Sequence, residues 1–171
     1  TQIDINQQKN LLLAMMIVVT VGVIDDHKDL SVKSRILSHI VAALVITSLD
    51  GVMLNSLGWI FGPIEFKLHT WAIFFTVFTI IGVMNAINMS DGIDGLSGML
   101  SLVVLLFIAY FSYIGGRADY LMITLLACSV LISFLLFNLG VFGQSRRVFM
   151  GDAGTTLFGL IIAFFLISLS Q

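Results

Sequence analysis

Four stretches of this chain run for 19 to 26 residues without an Asp, Glu, Lys or Arg: Leu68–Ser90, Gly95–Gly116, Tyr120–Ser145 and Ala153–Gln171. A helix needs about 20 apolar residues to cross roughly 30 Å of hydrocarbon, so each stretch is long enough to span a bilayer. Two earlier charge-free runs, Leu11–Ile24 and Ile36–Leu49, hold 14 residues each. The second gains length from its flanks, because Arg35 can snorkel and the chain after Asp50 stays apolar. The first follows Lys9 as a signal-peptide core would, but an acidic cluster follows it in place of an A-x-A-like cleavage site. The pattern predicts an all-α, polytopic integral membrane bundle of about six helices. Composition excludes the alternatives: 58% of residues are hydrophobic and 11% charged, against about 25% charged in an average soluble domain. Disorder is excluded by the same figures. The single cysteine, Cys128, rules out a disulfide within the chain, and a net charge of -2 argues against nucleic acid as a partner.

The linkers fit this plan. Gly51–Lys67 contains Gly58, Gly62 and the only proline, Pro63, and reads as an irregular loop. Gly115-Gly116 predicts a tight helix–helix turn, and Gly143–Gly151 a short polar loop. No soluble block separates the spans, so residues 1–171 read as a single transmembrane domain. Threading the helices places Lys28, Lys33, Arg35, Arg146 and Arg147 on one side, and Lys9, Lys67 and Arg117 on the other. The positive-inside rule makes the first side cytoplasmic.

The acids are more informative. Asp25, Asp26, Asp29, Asp91, Asp94 and Asp152 all fall on the predicted cytoplasmic side, supplied by three separate junctions, and only Asp4, Asp50, Glu65 and Asp119 fall elsewhere. Acidic residues contribute little to topology, so orientation does not explain the clustering. A solvated helix end is the simplest role for Asp29. The adjacent pair Asp25-Asp26 is costlier: two like charges about 4 Å apart repel by about 4 kcal/mol at an effective dielectric of 20. A cation reverses that sign, and hard oxygen ligands favour Mg2+ or Mn2+. Without a Cys/His cluster, zinc is a poor fit.

The second junction, Asn85 to Gly95, repeats an amide or carboxylate every third residue: Asn85, Asn88, Asp91 and Asp94. On a continuous helix the first and last of these face apart; a break near Gly92 is needed to bring all four together. An Asx-rich turn between spans is the simpler account. The third junction reads Arg146-Arg147-Val148-Phe149-Met150-Gly151-Asp152-Ala153-Gly154-Thr155-Thr156. Asp152 suits either an N-cap or a metal ligand. The helix start behind it offers N–H groups that suit phosphate, and the two arginines suit either phosphate clamping or membrane anchoring. Carboxylates, amides, arginines and a helix N-terminus on one membrane face fit a divalent metal holding a diphosphate, and hence phosphoryl transfer.

Three motifs, Ile24 to Ser31, Asn85 to Leu96 and Val148 to Gly154, resemble those of the polyprenyl-phosphate N-acetylhexosamine-1-phosphate transferases, glycosyltransferase family 4. The likeness runs from about Leu11 to the end. It is closest to the bacterial branch that uses undecaprenyl phosphate and N-acetylglucosamine. A related branch, acting on a MurNAc-pentapeptide, usually has Lys where this chain has Asp29. The resemblance implies transfer of a sugar 1-phosphate, GlcNAc-1-phosphate in the reading adopted, from a UDP-N-acetylhexosamine to a polyprenyl phosphate lipid. UMP leaves and Mg2+ (or Mn2+) is required. The reaction would initiate a lipid-linked cell-envelope glycan such as lipopolysaccharide or cell wall, on the cytoplasmic face of the bacterial inner membrane. By the same likeness Asp25, Asp26, Asp91 and Asp94 are catalytic, with Asp25 helping to activate the lipid phosphate. Asp26 and Asp152 hold the metal. Asn85 and Asn88 line the substrate site, to which Arg146 and Arg147 are added as candidate phosphate contacts. A homodimer is left open.

Family members also carry helices before these and a His-rich cytoplasmic motif after them. His27, His39 and His69 do not form that motif, so the chain reads as a piece of such an enzyme whose activity alone is in doubt. His39 lies within a span, where a hydrogen-bonded packing role is the simpler expectation. Two other functions compete. A cation-coupled transporter needs intramembrane acids near mid-span and repeated topology. A noncatalytic membrane piece or assembly partner needs no site.

Overall fold

The computed structural model describes residues 5–59 and 62–171; Asp4, placed above on the far side, lies outside them. Six long helices follow one another: α1 (Ile5–Lys28), α2 (Val32–Asp50), α3 (Ala72–Met89), α4 (Leu96–Ile114), α5 (Ala118–Asn138) and α6 (Gly151–Ser170). All six are long and apolar enough to cross a membrane. The first span is longer than its charge-free run. Asp25 and Asp26 lie inside the last turn of α1, which ends as Asp29 takes a left-handed φ of 47°. The third charge-free run overshoots its helix, because α5 stops at Asn138 and Leu139–Ser145 is an uncharged, glycine-bearing loop.

The packing is that of a protein solvated by lipid. Phe74, Phe78, Phe107, Tyr110, Leu126 and Val130 are exposed, apolar surface that suits hydrocarbon. Several interior hydroxyls bond back along their own helix: Thr76 Oγ1 donates to Ala72 O (2.7 Å) and Thr124 Oγ1 to Tyr120 O (2.7 Å), whereas the buried Oγ of Ser101, Ser112 and Ser168 makes no hydrogen bond among the described residues. α6 is the central post, packed against α1, α3 and α4, while α2 joins α1 to α3 and α5 pairs with α4. Its segment from Phe158 to Phe165 is buried throughout, as expected of a helix apolar on all sides.

Glycine sets how closely α6 is approached. A Cβ on Gly22 of α1 would lie 2.4 Å from Ala153 Cα, and one on Gly159 would lie 2.6 Å from Met84 Cα of α3. These two backbone contacts bring α1 against the first turn of α6 and α3 against its third.

The two ends of the bundle differ. At one end Asn10 Nδ2 donates to Asp50 Oδ1 (2.7 Å), and Gln171 Oε1 accepts from the backbone N–H of Asn55 (2.8 Å) and Ser56 (3.2 Å). Among its described residues the 51–67 loop there forms one antiparallel bridge, Ser56 to Lys67. Glu65, bonded by Ser56 and 3.5 Å from Lys67, is held below the usual carboxylate range. The opposite end gathers the three acidic junctions.

Candidate active site

The α1–α2 junction supplies two acids with different tasks. Asp25 is 3% exposed; its Oδ1 accepts from Leu30 N–H (2.7 Å), and its Oδ2 lies 3.2 Å from an Arg35 guanidinium nitrogen. That same nitrogen is 3.4 Å from Asp152 Oδ2. One arginine thus stands between two carboxylates from different ends of the sequence. Breaking such an arrangement by removing the cation leaves uncompensated charge at low dielectric. Arg35 reads from sequence as a membrane anchor, because cytoplasmic arginines at helix starts are ordinary; its service to two acids is visible only in three dimensions.

Asp26 turns the other way, onto α6. Its Oδ1 accepts from Asp152 N–H (2.8 Å) and its Oδ2 from Ala153 N–H (3.4 Å). α6 has no capping side chain of its own, so Asp26 caps it from across the bundle. Gly151 is required here twice over: its φ is 67°, and a Cβ would lie 2.9 Å from Asp26 Oδ2. The helix start that looked free to bind phosphate is therefore occupied by a carboxylate, which also complements the helix dipole. Replacing Asp26 by Ala is expected to lower stability by about 1 kcal/mol, while Asp26→Asn, an equally good cap, holds it. Thermal melts in detergent check this, and equal losses in both variants would show that charge, not capping, is what α6 uses.

The α3–α4 junction breaks as the glycines suggested. α3 ends at Met89, a single tight turn covers Ser90–Gly92, and Gly95 is left-handed at φ 77°. Its four polar residues nonetheless part company. Asn88 Nδ2 donates to Asp152 Oδ1 and to Thr155 Oγ1 (2.9 Å), which ties α3 to the acidic centre. Asn85 lines the same cleft, with its amide bonded to Ile81 O (2.9 Å). Asp91 accepts from Ser97 Oγ, and Asp94 pairs with Arg147. Arg147 also donates to Asn138 O (2.9 Å) and Gln144 Oε1 (3.3 Å), which fastens the 139–150 loop to the α3–α4 turn. Arg146 is exposed and pairs with no acid among the described residues.

A cavity of about 150 Å³ lies among α1, α2, α3 and α6, lined by Asp25, Arg35, His39, Asn85, Asn88 and Asp152 among others. Among the described residues no three His, Cys, Asp or Glu side chains are grouped as a metal cage. The oxygen donors still suit a hard cation in one respect: Asp25 Oδ2 is buried without a hydrogen bond, beside Asp152 and Asn88. Sequence reasoning missed Arg35 and His39 as lining residues; their i, i+4 spacing on one face of α2 was the available signal.

A helical membrane bundle with an acidic cleft at one end is thus the class of protein the geometry defines. Residues 9–170 match the model of glycosyl transferase family 4, and the chain belongs to that family. It is 37% identical over 160 residues, 94% of its length, to the undecaprenyl-phosphate alpha-N-acetylglucosaminyl 1-phosphate transferase of Salmonella typhi, covering 44% of that protein. The transferases of the same name from Escherichia coli (strain K12) and Haemophilus influenzae are each 35% identical, over 91% and 94% of this chain and 42% and 45% of their own lengths. The chain therefore spans less than half the length of these relatives.

Proposed function

We propose that this chain carries the acidic centre of an enzyme that transfers N-acetylglucosamine 1-phosphate from UDP-GlcNAc to undecaprenyl phosphate, releasing UMP. The observation that carries the reading is the meeting of Asp25, Arg35, Asn88 and Asp152, from α1, α2, α3 and α6, around one cleft at one end of the bundle. The names of the relatives supply the acceptor and the transferred group, undecaprenyl phosphate and N-acetylglucosamine 1-phosphate; the uridine diphosphate donor comes from the family resemblance of the three motifs. In this reading residues 1–171 act as one membrane domain, with the acidic end at the cytoplasmic face of the bacterial inner membrane.

Asp25 Oδ2 faces the acceptor phosphate and helps to orient it, while Arg35 offsets negative charge brought by the substrates. Asp152, held by Asn88, is the principal metal-binding acid, with Asp25 or Asp26 as its partner; a bound Mg2+ or Mn2+ would neutralise the diphosphate and the leaving UMP. Asp26 places Asp152 by capping α6. Asp91 and Asp94 shape the nucleotide-sugar side of the site, Asp94 through its pair with Arg147. Asn85 lines the cleft, and Arg146, exposed, is available to an incoming phosphate.

The test is UMP release from UDP-GlcNAc by the full-length enzyme carrying these residues, purified in detergent, with polyprenyl phosphate and Mg2+. Release that depends on both substrates and stops with EDTA is expected. Ion uptake into sealed vesicles without UMP release would replace the reading by a transporter.

A further inference from the structure

His39 is buried on α2 and lines the cavity of the acidic centre. It lies one turn along α2 from Arg35, about 6 Å further from the acidic end of the bundle at 1.5 Å per residue. It is 5% exposed, and its Nδ1 is buried with no partner among the described residues. The packing role expected from sequence, with the ring hydrogen-bonded, is therefore not what the structure provides. A polar ring left unpaired in a membrane interior costs free energy that no bulk water relieves.

The neighbours that share its cavity are already engaged elsewhere. Ser38 Oγ donates to Arg35 O (2.7 Å), Thr156 Oγ1 to Asp152 O (2.5 Å) and Asn85 Nδ2 to Ile81 O (2.9 Å). Asp25 Oδ2, on the same cavity, also lacks a hydrogen bond. Asp25 Oδ2 has the Arg35 guanidinium at 3.2 Å, so His39 is the group on this cavity left without a partner among the described residues, and an unpaired ring beside a guanidinium suits an anionic ligand. The cavity, about 150 Å³, has room for a phosphate group. His39 lies inside the α2 span, deeper than Arg35, at a depth that a lipid headgroup reaches more readily than a water-borne nucleotide.

We propose that His39 is a substrate-binding residue for the phosphate of the lipid acceptor, its ring N–H donating to a phosphate oxygen held in this cavity beneath Arg35. The inference rests on the transferase reading but is tested separately from it. The experiment uses the unmodified protein, His39→Leu and His39→Gln in detergent, and records thermal melts, binding of polyprenyl phosphate in the absence of nucleotide, and transfer kinetics. A hydrogen bond to a charged group supports a change of about tenfold or more. His39→Leu is expected to weaken lipid-phosphate binding and to raise its KM about tenfold, with the KM for UDP-GlcNAc within about twofold. His39→Gln, which keeps a donor, should recover most of the loss. Unchanged lipid-phosphate binding in a folded His39→Leu variant overturns the proposal, as does an equal rise in both KM values. If His39→Leu does not fold, His39→Met, which also lacks a donor, takes its place: weakened lipid-phosphate binding at a normal melt supports the proposal and unchanged binding overturns it. Lipid binding that depends on His39 without any UMP release would sink the transferase reading and leave this assignment standing.

Discussion

Asp152→Asn is expected to lower UMP release by about 10²–10³-fold, the scale of removing one preorganised charge from a transition-state site, and Asp25→Asn to do the same. Neither change should unfold the protein. In each variant Arg35, 35% exposed, keeps one carboxylate partner, because it contacts Asp25 and Asp152 through the same nitrogen. Loss of turnover at an almost unchanged melting temperature thus separates a catalytic role from a structural one. The double variant should lose less than the product of the single losses, since residues acting as a unit are not additive. Near-normal rates in both single variants would remove the proposed centre.

Gly22→Ala is expected to be nearly as damaging, although Gly22 touches no substrate. Its added Cβ would start 2.4 Å from Ala153 Cα and must reach the roughly 3.5–4.0 Å of ordinary carbon contact. α1 and α6 then separate by about 1 Å or more, and Asp26 loses its grip on the N–H groups of Asp152 and Ala153. Overpacking of this kind costs about 1–3 kcal/mol, and a misplacement of about 1 Å in catalytic groups costs about 10²-fold in rate. Gly159→Ala, 2.6 Å from Met84 Cα, should act similarly through α3 and Asn88. Gly82→Ala is the control: its Cβ meets nothing within 4 Å, so stability and rate should hold. Equal tolerance of all three changes, read by thermal melts and UMP release, would mean that close approach to α6 does not position the acids.

These two results bear on what was legible in the residues. Long charge-free runs announced the spans because a bilayer forbids unpaired charge, and four of them fall close to α3 through α6. The bounds failed where charge and helix part: α1 carries Asp25 and Asp26 inside its last turn, and α5 ends before its uncharged loop does. The one-sided acids could be read because orientation rules leave them unexplained. Their partners could not. Arg35 resembles any cytoplasmic anchor, and the cap from Asp26 to α6 joins residues 126 positions apart. The triplet spacing of Asn85, Asn88, Asp91 and Asp94 suggested convergence, yet the break at Ser90–Gly92 sends Asn88 to Asp152 and Asp94 to Arg147. Close packing at Gly22 and Gly159 leaves no periodic trace, because glycine at such points differs in no way from glycine elsewhere in a span.

The central claim is that acids from separate junctions form one cation-binding centre. Electron paramagnetic resonance of Mn2+ with the purified protein and UDP-GlcNAc tests it most directly. The account predicts a single Mn2+ site, weakened at least about tenfold in Asp152→Asn and in Asn88→Ala, and more in Asp25→Asn combined with Asp152→Asn. Mn2+ binding that is the same in all of these variants as in the unmodified protein would contradict it.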